Sequence, residues 1–227
     1  MRHLARRFDI GAGGSVAGVA ALPDPAARAA TAVVLGHGAG ADMNAALLVA
    51  FADALARQGF PTVRFNFPYT EHGRRAPDPA PVLEACYRSV LAQVRADRVL
   101  GAPRLVIGGK SMGGRMASRV AAAGEPTDGL LFLGYPLHPA GKPEQLRSAH
   151  LARIRAPMLF LTGTRDALCR LDLLRGALVG IPNATVHVVE DGDHSFAVRR
   201  RSGRDATAVL DELVDATVTW LRTVVAP

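Results

Sequence analysis

Short apolar runs alternate along the chain with longer segments whose apolar residues recur at helical spacing. The runs are rich in Val, Leu and Phe, which is typical of strands buried on both faces of a parallel sheet. The longer segments place apolar residues on one helical face, as at Leu47, Phe51 and Leu55. The predicted strands are 31–35, 62–65, 105–107, 130–133, 158–161 and 185–189, and the predicted helices are 44–58, 82–98, 112–123, 168–179 and 205–224, with a helical patch at 145–153 and a loop at 68–81.

The N-terminal stretch has a different pattern, because its apolar and polar residues alternate. A glycine-rich turn at 11–14 joins two such segments, 4–10 and 15–22, which predicts an antiparallel hairpin. The adjacent Arg6 and Arg7 faintly resemble a twin-arginine export signal. The hairpin is the simpler interpretation, and we expect a cytoplasmic protein. The whole pattern predicts one α/β domain over 1–227, with a mostly parallel sheet covered by helices on both faces.

Composition narrows the class of protein. The 227 residues are 49% hydrophobic, which is enough for one well-buried core, and no apolar run is long enough to span a membrane. Cys86 and Cys169 are too few for a disulfide framework and have no metal-ligand spacing. The net charge is +7 and the pI is near 10.4, yet the arginines are dispersed apart from a group at 199–204. We therefore expect no nucleic-acid or membrane partner, and the oligomeric state stays open.

A G-x-S-x-G pattern lies between the predicted strand at 105–107 and the helix that follows it. Its sequence is Gly109-Lys110-Ser111-Met112-Gly113. This is the nucleophile-elbow pattern, in which a serine on a strained strand-to-helix turn presents its hydroxyl clear of the backbone. The helix N-terminus behind the serine favours negative charge. Ser111 is thus the predicted nucleophile; the alternative is a structural turn with an idle serine.

A serine nucleophile needs a base, and four histidines follow it in the chain. His187 lies inside a strand pattern, and His150 lies on a helical stretch without a loop around it. His138 follows a strand end and remains a possible base. His194 occupies a turn directly after the last predicted strand, where a loop can present an imidazole at the sheet edge. We predict His194 as the base.

The base in turn needs an acid that orients it. Asp166 follows the predicted strand at 158–161, at its carboxyl end, and is the predicted acid. Asp191 and Asp193 are nearer to the histidine in sequence, but turn aspartates usually cap their own backbone. The resulting chain order, serine then acid then histidine, is that of the α/β-hydrolases and differs from the chymotrypsin and subtilisin orders.

The same chemistry needs donors for a developing oxyanion. The strand at 31–35 ends in Gly36-His37-Gly38-Ala39-Gly40, whose glycines let backbone N–H groups turn inward. The N–H groups of Ala39 and Met112 are the predicted oxyanion hole. His37 is expected to bond the loop backbone rather than to act as a second base. The alternative is a plain glycine-rich turn.

Six motifs together resemble a known family. The resemblance is to α/β-hydrolases of the dienelactone-hydrolase-like kind, and most of all to the small family that includes testis-expressed protein thirty and the hydrolase-like domain of a chromatin acetyltransferase (NSL) complex subunit. It implies an α/β-hydrolase fold with Ser111 as nucleophile, His194 as base and Asp166 as orienter. Dienelactone hydrolases proper use a cysteine nucleophile, so the serine implies ordinary ester chemistry. The matching motifs are 36–40, 65–69, 108–115, 134–137, 162–166 and 191–194.

The remaining expectations concern the substrate. The connection 134–157 is too short for a cap domain, which predicts an open site, a small ester or thioester as the acyl substrate, and carboxylesterase activity without a metal or organic cofactor. Gly38 and Tyr69 are expected at the wall of the cleft. Lys110 either attracts an acidic substrate or, as the favoured interpretation, pairs with a nearby carboxylate. The alternative to an enzyme is a non-catalytic interaction module that retains the hydrolase fold.

Overall fold

A computed structural model describes residues 1–225 and centres on one eight-stranded sheet. The strands are β1 (Arg2–Asp9), β2 (Ser15–Leu22), β3 (Thr31–Gly36), β4 (Thr62–Phe65), β5 (Arg104–Lys110), β6 (Gly129–Leu133), β7 (Met158–Gly163) and β8 (Ala184–Val189). The α-helices are α1 (Ala46–Arg57), α2 (Pro68–Glu71), α3 (Ala80–Ala96), α4 (Met112–Ala122), α5 (Leu171–Ala177) and α6 (Ala206–Trp220).

The strand order is β1-β2-β4-β3-β5-β6-β7-β8. The pairs β1–β2 and β2–β4 are antiparallel, whereas every pair from β4–β3 to β7–β8 is parallel. The expected N-terminal hairpin is therefore present, and its second strand joins it to the parallel part of the sheet. The predicted fold class, a mostly parallel sheet with an antiparallel hairpin at its start, is confirmed.

Successive residues of the central strands face two separate hydrophobic cores. In β3, Ala32 and Val34 pack in the core under α3 and α4, while Val33 and Leu35 pack in the core under α1 and α6. All four side chains are fully buried. Burial on both faces explains why these strands are continuous apolar runs, since each buried Val or Leu contributes about 1.5–3 kcal/mol.

The strand order places a crevice at the end of β3. The chain leaves β3 toward β4 on one side of it and then returns to β5 on the other side. At such a switch point the loops after the two strands diverge and leave a crevice outside their carboxyl ends. The loop after β3 begins at Gly36, and the turn after β5 holds Ser111, so both motifs singled out from the sequence meet at this crevice.

Three segments differ from the sequence expectation. The loop predicted at 68–81 begins with the short helix α2, whose Pro68 stands at a first helical position that suits proline. The helical patch predicted at 145–153 is only a 3₁₀ turn at Leu151–Arg153. Its backbone groups are taken up by tertiary contacts instead, because Arg147 donates its N–H to the Leu137 carbonyl and accepts from the Tyr135 hydroxyl. The helix predicted at 168–179 is the shorter α5.

No cap domain interrupts the sheet at the connection from β6 to β7. Residues 134–157 hold no regular element other than the 3₁₀ turn, so the carboxyl end of the sheet stays open there, as expected. Across residues 1–225, no helix combines the length and the apolar character needed to cross a bilayer.

The contact between α4 and β3 is close enough to test by mutation. A methyl group at Gly113 would overlap the carbonyl oxygen of Gly36, which is backbone and cannot turn aside. We expect Gly113→Ala to lower the free energy of unfolding by about 3 kcal/mol in urea denaturation. Gly176→Ala in α5 is the matched control: its methyl group would contact nothing within 4 Å, and alanine's helix preference predicts a gain of about 0.5–1 kcal/mol. Equal effects of the two changes would contradict the account of this contact.

Candidate active site

Ser111 is the single residue between β5 and α4. Its φ of 50° and ψ of −111° are strained for a residue with a side chain. Hydrogen bonds hold the turn in place: the Ser111 N–H donates to the Leu133 carbonyl at 3.1 Å, and the Arg115 N–H donates to the Ser111 carbonyl at 3.0 Å. The strained turn lifts the serine hydroxyl away from both elements, as the elbow pattern predicts.

The structure brings the three predicted catalytic side chains into one hydrogen-bonded chain. His194 Nε2 lies 2.9 Å from the Ser111 hydroxyl oxygen. His194 Nδ1 lies 2.9 and 2.8 Å from the two carboxylate oxygens of Asp166. Since a carboxylate can only accept, Nδ1 carries the proton and donates it to Asp166. The lone pair of Nε2 is therefore left to accept from the serine hydroxyl.

Burial differs along this chain of hydrogen bonds. The Asp166 side chain is 0% exposed, while that of His194 is 22% exposed. One carboxylate oxygen of Asp166 also accepts from the Leu168 N–H at 2.8 Å. A carboxylate removed from water interacts more strongly with its hydrogen-bond donors, which fixes the imidazole in one orientation. The imidazole keeps an edge open to a molecule that approaches Ser111.

A second close backbone contact joins the loops that carry the acid and the histidine. A methyl group at Gly163 would overlap the carbonyl oxygen of Gly192. Beside it, the Arg165 N–H donates to the same Gly192 carbonyl at 2.8 Å. These contacts pull the loop after β7 against the loop after β8, so that Asp166 and His194 meet although they are far apart in sequence.

The two other aspartates near His194 stabilise its turn. Asp193 accepts from the N–H groups of Ser195 and Ala197 at 2.8 and 2.9 Å. Asp191 accepts from the N–H of Arg199 at 2.7 Å and pairs with its guanidinium, and hydrogen bonds from Arg199 lower the pKa of this carboxyl to about 2. Both carboxylates cap their own loop, as expected of turn aspartates.

The other candidate histidines have partners away from the serine. His138, the alternative base, is buried, with Nδ1 2.9 Å from the Pro139 carbonyl and Nε2 accepting from the Arg170 N–H at 3.2 Å. His150 Nε2 lies 2.8 Å from the Ser118 hydroxyl. Burial, together with nearby arginines, lowers the pKa of His150 to about 4.

His187 Nε2 bonds the Glu212 carboxylate at 2.8 Å, on the strand β8 where the pattern placed it. Of the histidines that follow the serine in the chain, His194 alone has a ring nitrogen in hydrogen-bond contact with Ser111 within residues 1–225. The base predicted from its position after the last strand is thus the one that meets the serine.

The glycine-rich loop after β3 runs against the elbow. A methyl group at Gly38 would lie 3.7 Å from Ser111 Cβ, and Ala39 lines the same cavity as Ser111. Met112 is the first residue of α4, where helix N–H groups lack an intrahelical acceptor. Within residues 1–225, the N–H groups of Ala39 and Met112 have no hydrogen-bond acceptor, so both are available to a ligand.

His37 holds this loop from beneath. It is buried, accepts the Phe67 N–H at Nε2 at 3.1 Å, and donates from Nδ1 to the Gly38 carbonyl at 2.8 Å. Burial lowers its pKa, so the neutral ring bonds the loop in one tautomer. This is the structural role expected from the sequence.

Tyr69 lies beneath the glycine-rich loop. Its side chain is buried, its hydroxyl donates to the Gly38 carbonyl at 3.4 Å, and it lies outside the set of residues that line the Ser111 cavity. It lines a neighbouring cavity, which shares Ala41 and Ala45 with the cavity at Ser111, so its role as a wall of the cleft stays a prediction. Desolvation raises the pKa of Tyr69 to about 12.

A cavity of about 420 Å³ opens at Ser111 and has mostly apolar walls. Leu47, Leu48 and Leu168 also line it. None of them could be predicted at this site, because apolar residues at helical spacing give no sign of which of them reach a cavity. The lining residues are Gly38, Ala39, Ala41, Ala45, Leu47, Leu48, Lys110, Ser111, Leu168, His194 and Ser195. Among the described residues, no group of three His, Cys, Asp or Glu side chains is placed to hold a metal ion.

Lys110 also faces this cavity, and it is not in the expected ion pair. Within residues 1–225, no carboxylate oxygen lies within 4.0 Å of its ammonium. The charges of Asp166 and Asp193 act on it from farther away, but their oxygens already accept from His194 and from turn N–H groups. Desolvation is the larger effect and lowers the pKa of Lys110 to about 8.

Comparison with known proteins places this geometry in a family. Residues 29–222 match the sequence model of the family described as alpha/beta hydrolase domain. That match spans β3 to α6 and therefore covers the elbow, the acid loop, the histidine loop and the glycine-rich loop. The N-terminal hairpin of β1 and β2 lies outside it.

Solved structures with the same fold cover nearly the whole chain. A serine hydrolase without a lid from Xanthomonas campestris has a TM-score of 0.77 and 24% identity, over 100% of this chain and 97% of that one. A dienelactone hydrolase from Anabaena variabilis has a TM-score of 0.76 and 17% identity, over 97% of each chain. An esterase domain from Rhodothermus marinus has a TM-score of 0.73 and 16% identity, over 98% of each. These likenesses establish the α/β-hydrolase fold.

The desolvated lysine makes a prediction about stability. Because the folded protein lowers the pKa of Lys110 from 10.5 to about 8, its charged form is disfavoured by folding. The cost is fully present below about pH 8 and fades as pH rises toward the unfolded pKa of 10.5. We expect Lys110→Met to raise the free energy of unfolding by about 1–3 kcal/mol at pH 7, and by less at pH 10, in urea denaturation.

Lys142→Met is the control for this prediction. Lys142 is the other lysine of the chain and is exposed, so its replacement should change the free energy of unfolding by less than about 0.5 kcal/mol at either pH. A loss of stability in Lys110→Met at pH 7, or a gain that grows with pH, would contradict the proposed cost of the half-buried ammonium.

Proposed function

The chain belongs to the α/β-hydrolase family, and on this premise we propose that it is a serine hydrolase that cleaves small carboxylic esters or thioesters. The observation that supports this proposal is the hydrogen-bonded chain from the Ser111 hydroxyl through His194 to the buried Asp166 carboxylate. Each of the three side chains has the neighbour that nucleophilic catalysis requires. Two solved structures with the same fold are described as a dienelactone hydrolase and as an esterase domain, and those descriptions are consistent with the proposed activity.

In the first step the serine attacks the ester. His194 Nε2 takes the Ser111 hydroxyl proton while the serine oxygen bonds to the carbonyl carbon. The carbonyl oxygen becomes negative and accepts hydrogen bonds from the N–H groups of Ala39 and Met112. His194 then gives its proton to the leaving alkoxide or thiolate, the bond to the leaving group breaks, and an acyl group remains on the serine.

In the second step water releases the acyl group. His194 takes a proton from water, whose oxygen attacks the acyl carbon, and the same two N–H groups hold the oxyanion. The proton then returns to the serine oxygen as the acyl–oxygen bond breaks, so that acid product leaves and the enzyme is restored. Throughout both steps Asp166 keeps the ring in place and stabilises its positive charge.

The form of the cavity supports a small substrate. Its volume is about 420 Å³, its walls are mostly apolar, and no cap domain covers it. An open site of this size holds short acyl groups and offers no enclosed tunnel for a long chain. We therefore propose carboxylesterase activity in preference to long-chain lipase activity.

We further propose kinship with the small family of testis-expressed protein thirty, which the motifs resemble. The motif at 65–69 has a physical role that fits this: the Phe67 N–H holds His37, and the Asn66 side chain accepts from Met43 N–H at 2.9 Å and donates to Glu71 at 2.8 Å. The motif at 65–69 therefore forms hydrogen bonds that hold the loop containing Ala39 in place. A non-catalytic interaction module with the same fold is the alternative, and it predicts no reaction at the serine.

Labelling by a fluorophosphonate probe separates these two functions. We expect the wild-type protein to be labelled and to hydrolyse 4-nitrophenyl acetate, and Ser111→Ala to lose both labelling and hydrolysis. The matched control is Ser118→Ala, because Ser118 is also a serine of this region in contact with a histidine, His150, at 2.8 Å. Circular dichroism checks that both variants fold. Absence of wild-type labelling, or equal labelling of Ser111→Ala, would contradict the serine-hydrolase proposal.

The identity of the acid makes a second prediction. Asp166→Asn should lower kcat by about 10³- to 10⁴-fold. The asparagine oxygen would keep the Leu168 N–H, so its NH₂ group would donate to His194 Nδ1 and favour the tautomer that carries the proton on Nε2. Asp193→Asn is the control: its amide oxygen can still accept the N–H groups of Ser195 and Ala197, so we expect less than about a tenfold loss. Steady-state kinetics on one ester compares kcat of the two variants. A larger loss of kcat in Asp193→Asn than in Asp166→Asn would contradict the assignment of Asp166 as the acid.

A further inference from the structure

We propose that Lys110 binds an anionic group of the substrate, so that the preferred substrates are small esters that carry a carboxylate near the scissile bond. The inference rests on the proposed function, since it assigns a substrate class to the same site. It starts from the position of the lysine, the residue next to Ser111 at the end of β5. Both side chains line the same cavity.

The ammonium lies on the histidine side of this cavity. A methyl group at Gly134 would lie 3.1 Å from Lys110 Nζ, 3.4 Å from His194 Cε1 and 3.0 Å from the His194 carbonyl oxygen. The ammonium is thus a neighbour of the imidazole that contacts the serine hydroxyl. An ester bound for attack by Ser111 therefore places its substituents within reach of Lys110.

Among the described residues, the Lys110 ammonium has no ionic or hydrogen-bond partner, and it lies over the face of the Phe196 ring. Asp166 and Asp193 act on it through space, His194 lies beside it, and the Phe196 ring has its centroid 6.0 Å away. Both carboxylates accept from other donors, and in the part of the chain that the structure describes the ammonium makes no hydrogen bond and no ion pair. The side chain is half-buried, so its ammonium is partly removed from water without an ionic partner, which costs free energy.

A substrate carboxylate would remove that cost. The other walls of the cavity are largely alanine and leucine side chains, and in such surroundings a charge pair interacts more strongly than in water. Lysine supplies up to three donors from a compact charge, so one carboxylate oxygen suffices as partner. The unpaired charge in free protein becomes a paired charge in the complex, which is the arrangement expected of a specificity residue.

A structural role for Lys110 makes a different prediction. If the side chain only supports the turn that holds His194 and Phe196, its replacement changes the turnover of neutral and anionic esters by the same factor. The ratio of their kcat/KM values therefore distinguishes the two roles, whatever happens to the absolute rates.

Matched pairs of esters measure this ratio. For the acyl side, the pair is 4-nitrophenyl hydrogen succinate against 4-nitrophenyl butyrate; for the leaving group, it is 4-acetoxybenzoate against its methyl ester. We expect wild type to prefer the anion in at least one pair and Lys110→Met to reduce that preference about 10- to 100-fold. Lys110→Arg should retain most of the preference, and Lys142→Met, the other lysine of the chain, should retain all of it.

The pH dependence gives a readout that a structural role would not move. With a pKa of about 8, Lys110 loses its charge as pH rises from 7 to 9, so the anionic preference of wild type should fall over that range. Arginine stays charged there, so the preference of Lys110→Arg should stay level. Both ratios are corrected for spontaneous hydrolysis at each pH.

The failures of the two proposals are distinguishable. If wild type is labelled by fluorophosphonate and hydrolyses neutral esters, but Lys110→Met leaves the anionic ratio of both pairs unchanged, the lysine inference is overturned and the serine-hydrolase proposal stands. Equal wild-type rates within both pairs overturn it as well. Absence of labelling and of turnover on every ester overturns the proposed function and this inference with it.

Discussion

Two backbone contacts that leave no room for a side chain hold the site together. One joins Gly113 at the start of α4 to Gly36 at the end of β3, and the other joins Gly163 to Gly192 between the loops after β7 and β8. The first sets the serine turn beside the loop of Ala39; the second brings the acid loop against the histidine loop. Hydrogen bonds at 2.8–2.9 Å among the three side chains are possible because these backbones approach so closely.

The site contains one carboxylate and one ammonium whose surroundings differ. The carboxylate of Asp166 is withdrawn from water and fully used, since both oxygens face His194 and one also accepts a backbone N–H. The ammonium of Lys110 is also desolvated, yet it has no counter-charge within ion-pair distance in residues 1–225. The same sheet edge therefore carries a negative charge that is hydrogen-bonded to His194 and a positive charge that has no ionic partner among residues 1–225.

Much of this arrangement could be predicted from the sequence because it depends on local patterns. The strands are apolar on both faces, and the elbow motif, Asp166 and His194 each follow such a strand, so parallel topology alone brings them to one edge. The direction of Tyr69 and the pairing of Lys110 could not be predicted. The direction of the Tyr69 ring depends on the four-residue helix α2. The pairing of Lys110 depends on the other donors that Asp166 and Asp193 already accept from. The helix predicted at 145–153 is absent for a similar reason, because backbone groups of this segment form hydrogen bonds with distant residues instead of within a helix.

In the mechanism that we propose, Ser111 carries the acyl group between the two steps. Its most direct test is mass spectrometry of the protein quenched during turnover of 4-nitrophenyl acetate, with peptide mapping of any adduct. We expect one acetyl group, located on Ser111, that disappears once the substrate is exhausted. An acetyl group on another residue, or steady hydrolysis by the wild-type protein with no acetyl group on Ser111, would contradict this mechanism.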